Sequence, residues 1–258
     1  MASYQVTVAP NGARRVHADH AKLPVTIDEI ASAASECQVA GAQNIHLHVR
    51  DATGQHSLDA GRYREAIAAV EAAAPGLAIQ ITTESAGVYD VAEQVACLQA
   101  LRPVAASIAL REMAHDPVMA ARAYAICTEA ATKVQHIIYD PSDIDLLNHW
   151  YQDGTVPTQM RDVIFVLGKY QQQVLSQPGD LQAFLAATTN MRFNWSVCAF
   201  GRNEHACLLA AIAAGGDVRV GFENNIEFPD GSPLPDNATS VATLIKAAAQ
   251  AGHSLKEV

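Results

Sequence analysis

Eight short runs rich in aliphatic and β-branched residues recur along the chain, and each is followed by a stretch compatible with a helix. The runs are YQVTVAP (4–10), NIHLHVR (44–50), LAIQITTE (77–84), AASIALRE (105–112), KVQHIIYD (133–140), DVIFVLG (162–168), RFNWSVCAFG (192–201) and DVRVGFEN (217–224). The intervening helical stretches fall at 27–40, 60–73, 90–101, 117–131, 142–151, 178–189, 204–214 and 239–251. Strands alternating with helices build a parallel sheet. Eight such units in about 250 residues are the signature of a closed (β/α)8 barrel. We therefore expect an α/β fold, a single TIM-barrel domain over residues 1–258. Gly41, Pro75, Gly76, Pro103, Gly215 and Gly216 stand where helices should stop before the next strand. An open doubly wound sheet is the alternative, but the first strand lacks the G-x-G-x-x-G turn of its dinucleotide-binding form.

Composition narrows the function classes. A formal charge of −10 disfavours nucleic acid and anionic membrane surfaces as partners, because both demand basic footprints. No apolar run reaches the roughly 18–20 residues of a membrane helix, and the opening MASYQVTVAPNG lacks a secretory h-region. Five widely spaced cysteines without a C-x-x-C pair read as buried thiols rather than a disulfide framework. A cytoplasmic protein is the expectation.

In a barrel of this kind the active site occupies the C-terminal ends of the strands. NIHLHVRD then stands out, since side chains alternate along a strand. Ile45, Leu47 and Val49 share one face, and His46, His48 and Arg50 share the other. Two imidazoles two residues apart can reach one metal ion. On the eighth run, Val218, Val220 and Phe222 should face the helices, leaving Arg219, Gly221 and Glu223 inward. Strands eight and one close the barrel beside strand two. Glu223 can therefore join His46 and His48 in a His2Glu site with open positions, as catalytic metals require. Mutual hydrogen bonding of these three without a metal is the alternative. Gly221 should leave room for the Arg219 stem to rise, and an arginine inside a barrel needs a partner or a task. Asn11, Arg14, Thr82, Glu84, Ser107, Arg111 and Gln135 lie at other strand ends and are candidates for the same mouth. Such groups also commonly cap helices and turns.

These segments resemble one known family. APNGARR, ADH, LPVT, HLHVRDATG, IQITTE, FVLG and GGDVRVGFENN occur in the order found in the β-keto acid cleavage enzymes. The resemblance runs over nearly the whole chain and implies a (β/α)8 barrel. It implies condensation of a β-keto acid with acetyl-CoA to give acetoacetate and a new acyl-CoA. By that resemblance His46, His48 and Glu223 hold a divalent metal, usually zinc, and the keto acid chelates it through its carboxylate and β-carbonyl. Arg219 helps to remove the α-proton, supported by the Thr82 hydroxyl, and Ser107 binds the reacting carbonyl. Acetyl-CoA leaves no readable motif, so its contacts and the homotetrameric assembly rest on the resemblance alone.

Departures from the family pattern bear on the chemistry. Asn224 stands where the family often has aspartate, and an amide cannot accept a proton. Either Glu84 or another nearby acid replaces it, or Arg219 acts as an electrostatic clamp. Arg14 and Gln135 stand where members acting on amino-bearing keto acids carry carboxylates, which disfavours an ammonium substrate. Arg14 with Arg111 instead suits a second carboxylate. Two other readings compete: a metal-dependent lyase or hydrolase that splits a C–C bond without CoA, and a non-catalytic ligand-binding barrel.

Overall fold

The computed structural model describes residues 2–168 and 175–257. Its centre is a closed barrel of eight parallel strands. We number them β1 (Val6–Val8), β2 (Asn44–Leu47), β3 (Ala78–Thr82), β4 (Ala105–Ala109), β5 (Lys133–Ile138), β6 (Asp162–Leu167), β7 (Asn194–Ala199) and β8 (Asp217–Val220). Closure runs through β8 and β1, with Val218 opposite Val6, Arg219 opposite Thr7 and Val220 opposite Val8. The surrounding helices are α1 (Ile27–Val39), α2 (Ala60–Ala73), α3 (Val91–Leu101), α4 (Pro117–Glu129), α5 (Pro141–Asp153), α6 (Leu181–Ala187), α7 (Glu204–Ala213) and α8 (Asn237–Gln250). The expected eightfold alternation is thus present, and the TIM-barrel expectation holds.

Local sequence explains where the helices start. The side chains of Thr26, Asp59, Asp90, Asp116, Asp140 and Asp236 each accept a backbone N–H from the first turn of α1, α2, α3, α4, α5 and α8. These caps satisfy donors that a helix cannot pair internally. Each helix follows its strand, so the caps lie on the side of the barrel where the loops build the mouth.

Alternation along the strands sorts two environments. Outward residues such as Val6, Val8, Ile45, Leu47, Ile81, Ile108, Phe165 and Val220 are buried against the helices in one continuous core. The inward residues divide by sector. Ala109, Ile137, Ile164, Val166 and Cys198 form a separate apolar cluster inside β4–β7, with Tyr139 and Phe200 packed against it. The sector formed by β8, β1, β2 and β3 instead turns Arg219, His46, Gln80 and Thr82 inward, and the first, second and fourth of these are buried. The apolar cluster shares its strands with Ser107, Gln135 and Ser196, whose polar side chains link to those of β3 inside the barrel. The five cysteines are free and buried, as expected, and among the described residues no helix is long and apolar enough to cross a membrane.

Three local expectations change. The second strand stops at Leu47, and Val49–Arg50 pairs antiparallel with His56–Ser57 in a small hairpin. The barrel strand ends because Arg50 turns away to bind backbone: its guanidinium donates to the carbonyls of Gly12 at 2.6 Å, Arg15 at 2.9 Å and Gly54 at 3.1 Å. A short helix, Leu110–Met113, interrupts the fourth run directly after β4. The eighth strand ends at Val220, and Phe222 packs with Leu23 and Leu234 under the loops rather than against the helices.

Gly221 has a different purpose from the one expected. Its φ is +141°, and a Cβ there would lie 2.5 Å from the Ala9 carbonyl oxygen and 3.0 Å from Asn237 Oδ1. Close approach of two backbones, not space for Arg219, demands glycine. Gly221→Ala should cost about 1–3 kcal/mol from backbone strain alone, plus the clash with Ala9. Denaturant unfolding should show that loss, whereas Gly179→Ala, in open space, should be near neutral; equal stabilities of the two variants would contradict this assignment.

Candidate active site

His46 and His48 keep their common direction although the strand ends between them. Their Nε2 atoms face each other at 3.2 Å, and their rings are edge-to-face with centroids 5.0 Å apart. Glu223 Oε1 lies 3.3 Å from His48 Nε2, and Oε2 lies 3.9 Å from His46 Nε2. One ligand atom from each of the three residues lies within 4.8 Å of the other two.

Glu223 reaches this point through a tight turn rather than a strand. Its N–H donates to the Ala9 carbonyl at 3.0 Å, while Asn224 and Asn225 donate to the Gly221 carbonyl at 2.8 and 3.0 Å. Arg15 donates to the Phe222 carbonyl, and Asn237 Oδ1 accepts from the Phe222 N–H at 2.8 Å. Glu204, buried at the start of α7, accepts the Gly221 N–H at 3.1 Å.

The protonation states suit a cation. Burial first, then the Arg219 charge, holds the His46 imidazole well below its usual pKa, so it is a neutral donor. Burial alone would raise the Glu223 pKa, but Arg219, His48 and His46 outweigh it and hold the carboxyl well below the usual range. Glu223 Oε2 and His48 Nδ1 are buried without hydrogen-bond partners among the described residues. A buried polar atom without a partner needs a water, an ion or a ligand. Two imidazoles and a carboxylate converging on one point form a donor set for a divalent metal such as zinc, so the residues present fit one.

Arg219 lies beside this point, its Nη2 3.8 Å from Glu223 Oε2 and 3.4 Å from Cys198 Sγ. Burial would lower its pKa, but Cys198, Glu223 and Tyr139 reverse that and reinforce the cation. Its Nε and Nη1 have no hydrogen-bond partner among the described residues.

Above lies a cavity of about 410 Å³ that Glu223, Asn11, Arg14, Glu84, Arg111 and Tyr139 help to line. Thr82 and Ser107, neighbours on β3 and β4, are buried with their hydroxyl oxygens 3.5 Å apart, and Thr82 Oγ1 accepts the Glu84 N–H at 3.0 Å. The Glu84 carboxylate lies 3.6 Å from Arg14, and burial raises its pKa. Asn11 donates to the His48 carbonyl at 3.3 Å. Arg111 pairs with Asp143 at 3.0 Å and lies 4.2 Å over the Tyr139 ring. The carbonyl of Asn224 accepts the Gly201 N–H at 3.2 Å, and both polar atoms of its buried amide lack partners.

Gln135 lies apart from this mouth. It is the third residue of β5, so its inward side chain sits low in the barrel, bonding Gln80 at 3.2 Å and Ser196 at 3.1 Å. The strand reaches mouth level only at Tyr139. Tyr139, Cys198, Gln80, Arg15 and Glu204 were not anticipated. A signal did exist for Gln80 and Tyr139: in IQIT and QHIIY the inward parity marks them once the strand phase is known. None marked Arg15 or Glu204, whose contacts are to a distant turn.

A family model described as "beta-keto acid cleavage enzyme" matches residues 4–258. The chain belongs to the β-keto acid cleavage enzyme family, and it is an enzyme of that class. It is 29% identical over 257 residues to the 3-keto-5-aminohexanoate cleavage enzyme of Acetoanaerobium sticklandii, covering 96% of this chain and 92% of that one. It is 23% identical over 263 residues to the 3-oxoadipate:acetyl-CoA acetyltransferase of Cupriavidus necator, covering 98% and 91%. Among solved structures, the ternary complex of ObcA with C4-CoA adduct and oxalate superposes with a TM-score of 0.69 at 13% identity. That match covers 91% of this chain but only 65% of the longer ObcA chain, and it bears on fold alone.

Glu204 yields a test of the site's electrostatics. Burial pushes its pKa well above the usual carboxylate value, against the pull of the Gly221 N–H, Asn225, Arg15 and Arg219. The folded state then holds this proton above about pH 4.3, where an unfolded glutamate releases it. Folded protein binds more protons in that window, so stability falls as pH rises through it. Glu204→Gln should remove that part of the decline: its melting temperature should drop less than wild type's between pH 5 and 8. Parallel melting curves would contradict the assignment.

Proposed function

We propose that the chain condenses a β-keto acid with acetyl-CoA at this mouth, releasing acetoacetate and the acyl-CoA of the remaining fragment. The observation that carries the reading is the His46–His48–Glu223 donor set at the edge of a cavity that Glu84, Arg14 and Arg111 also help to line. Zinc held by those three would supply Lewis acidity toward the carboxylate and β-carbonyl oxygens of the keto acid.

The chain's own residues divide the remaining work. Glu84 takes the proton from the carbon between carboxylate and carbonyl. It lines the cavity, its pKa is raised by burial, and Asn224 has no acidity to offer. Arg219 stays charged and faces the developing negative charge, acting as a clamp rather than as the base. The carbanion attacks the acetyl carbonyl of acetyl-CoA and the CoA thiolate departs. That thiolate then attacks the β-carbonyl, the bond to the former α-carbon breaks, and acetoacetate leaves after reprotonation from Glu84. The Thr82 and Ser107 hydroxyls hold a carbonyl oxygen during these steps, and Asn11 orders the rim beside His48. Arg14 and Arg111, both on the cavity wall, receive a second carboxylate, with the methylenes between along Tyr139, Val166 and Phe200. A relative whose name specifies 3-oxoadipate, a dicarboxylate, supports that choice. A homotetramer in the cytoplasm belongs to the same reading.

The test is a coupled assay of acetoacetate release with acetyl-CoA and neutral, ammonium-bearing and dicarboxylic β-keto acids. Strict acetyl-CoA dependence with dicarboxylates preferred at least about tenfold is expected, equivalent to roughly 1.4 kcal/mol of transition-state discrimination. CoA-independent cleavage would refute the transferase, and a preference for ammonium substrates would refute the arginine assignment. With the active substrate, Glu84→Gln should lower kcat by about 10²–10⁴-fold, as loss of a general base does. Because Glu84 acts deprotonated, wild-type kcat/KM should climb with pH through a limb above the ordinary carboxylate range, and this limb should vanish in the variant. A variant within a few-fold of wild type would exclude Glu84 as the base.

A further inference from the structure

Behind His46, a row of side chains crosses the barrel interior. His46 Nδ1 lies 2.8 Å from Gln80 Oε1, Gln80 Nε2 donates to Gln135 Oε1 at 3.2 Å, and Gln135 Nε2 donates to Ser196 Oγ at 3.1 Å. The row links β2, β3, β5 and β7, and its Ser196 end lines a second cavity of about 440 Å³ that Lys133, Asp162 and Asp217 also line. His48 has no such support, since its Nδ1 is buried without a partner.

A carboxamide has two chemically distinct ends, an oxygen that accepts and a nitrogen that donates. With the Gln80 nitrogen given to Gln135, only its oxygen faces His46. Nδ1 must then carry the ring proton, and Nε2 keeps its lone pair. Nε2 is the atom that faces His48 Nε2 at 3.2 Å and Glu223 Oε2 at 3.9 Å. Were the row to run the other way, the proton would sit on Nε2, where it would block ligation. We infer that Gln80, oriented by Gln135 and Ser196, is a positioning residue that fixes the tautomer of His46 and so presents Nε2 as a ready metal donor. The inference rests on the metal reading of the proposed function. It gives the two histidines different support: His46 is preset by the barrel interior, whereas His48 Nδ1 has no such hydrogen-bond partner among the described residues. It also explains why three alternate strands, β3, β5 and β7, spend amides and a hydroxyl inside the barrel.

Two readouts test it on the full chain. In metal-free wild type, long-range ¹H–¹⁵N spectra should show His46 protonated at Nδ1; protonation at Nε2 would overturn the inference without any variant. Zinc affinity by chelator competition, on variants checked for folding by circular dichroism, is the second. Gln80→Leu should weaken zinc about 10–100-fold, the usual effect of losing a hydrogen-bond partner of a metal-bound histidine. Gln80→Glu keeps an acceptor toward Nδ1 and should restore affinity to within a few-fold. Gln135→Leu, which leaves Gln80 in place but unoriented, should fall between, and it reads the row independently if Gln80→Leu does not fold. Equal losses in Gln80→Leu and Gln80→Glu would reduce the role to packing, and unchanged affinity in both Leu variants would refute it. If wild type binds no zinc, the metal reading fails by itself, and the tautomer spectrum still decides what Gln80 does.

Discussion

Contact between the ends of β8 and β1 governs everything at the mouth. The pairing of these strands continues beyond their last residues, with the Ala9 N–H donating to the Val220 carbonyl at 2.9 Å and the Glu223 N–H to the Ala9 carbonyl at 3.0 Å. Only glycine at 221 allows that approach. The turn that follows brings a carboxylate from beyond the chain's last barrel strand against one histidine of its second and one just past that strand's end. Arg15 and Glu204 hold the turn from two sides, one at the Phe222 carbonyl and one at the Gly221 N–H. A site built this way inherits its rigidity from barrel closure rather than from a loop.

The divided interior sets the electrostatics. The β4–β7 sector holds an apolar cluster and uncharged polar groups, whereas Arg219 and Glu223 lie in the opposite sector, where burial is costly unless each finds an opposite. Arg219 and Glu223 are that opposite pair, and their 3.8 Å separation leaves Glu223 with an oxygen unspent. A cation at the histidines completes the balance. Desolvation raises the Glu84 and Glu112 carboxyls above the usual carboxylate value. Arg14 is held by Glu84 and Arg111 by Asp143, so the second carboxylate proposed for the substrate would compete for them with groups already in place.

Much of this was legible in the sequence because periodicity is a local property. Strand and helix alternation, the inward parity of His46, Arg219 and Thr82, and the meeting of strand eight with strand two follow from spacing and barrel closure. Depth was not legible: parity puts Gln135 inside the barrel but not at its mouth, since height along a tilted strand depends on its neighbours' register. Strand ends were equally hidden. Arg50 and Phe222 continue the alternation of their runs, yet each leaves the sheet for a partner far away in sequence, the loop after β1 for one and Leu23 with Leu234 for the other. Gly221 was marked as special for the wrong reason, because the backbone it touches lies more than two hundred residues earlier.

The central claim is that His46, His48 and Glu223 form one metal centre. Anomalous diffraction at the zinc edge from crystals grown with zinc tests it most directly. The account predicts a single strong peak bonded to Nε2 of both histidines and to a Glu223 oxygen, with His46 Nδ1 still on Gln80. No peak there in zinc-replete crystals, or a peak held by other side chains, would contradict it.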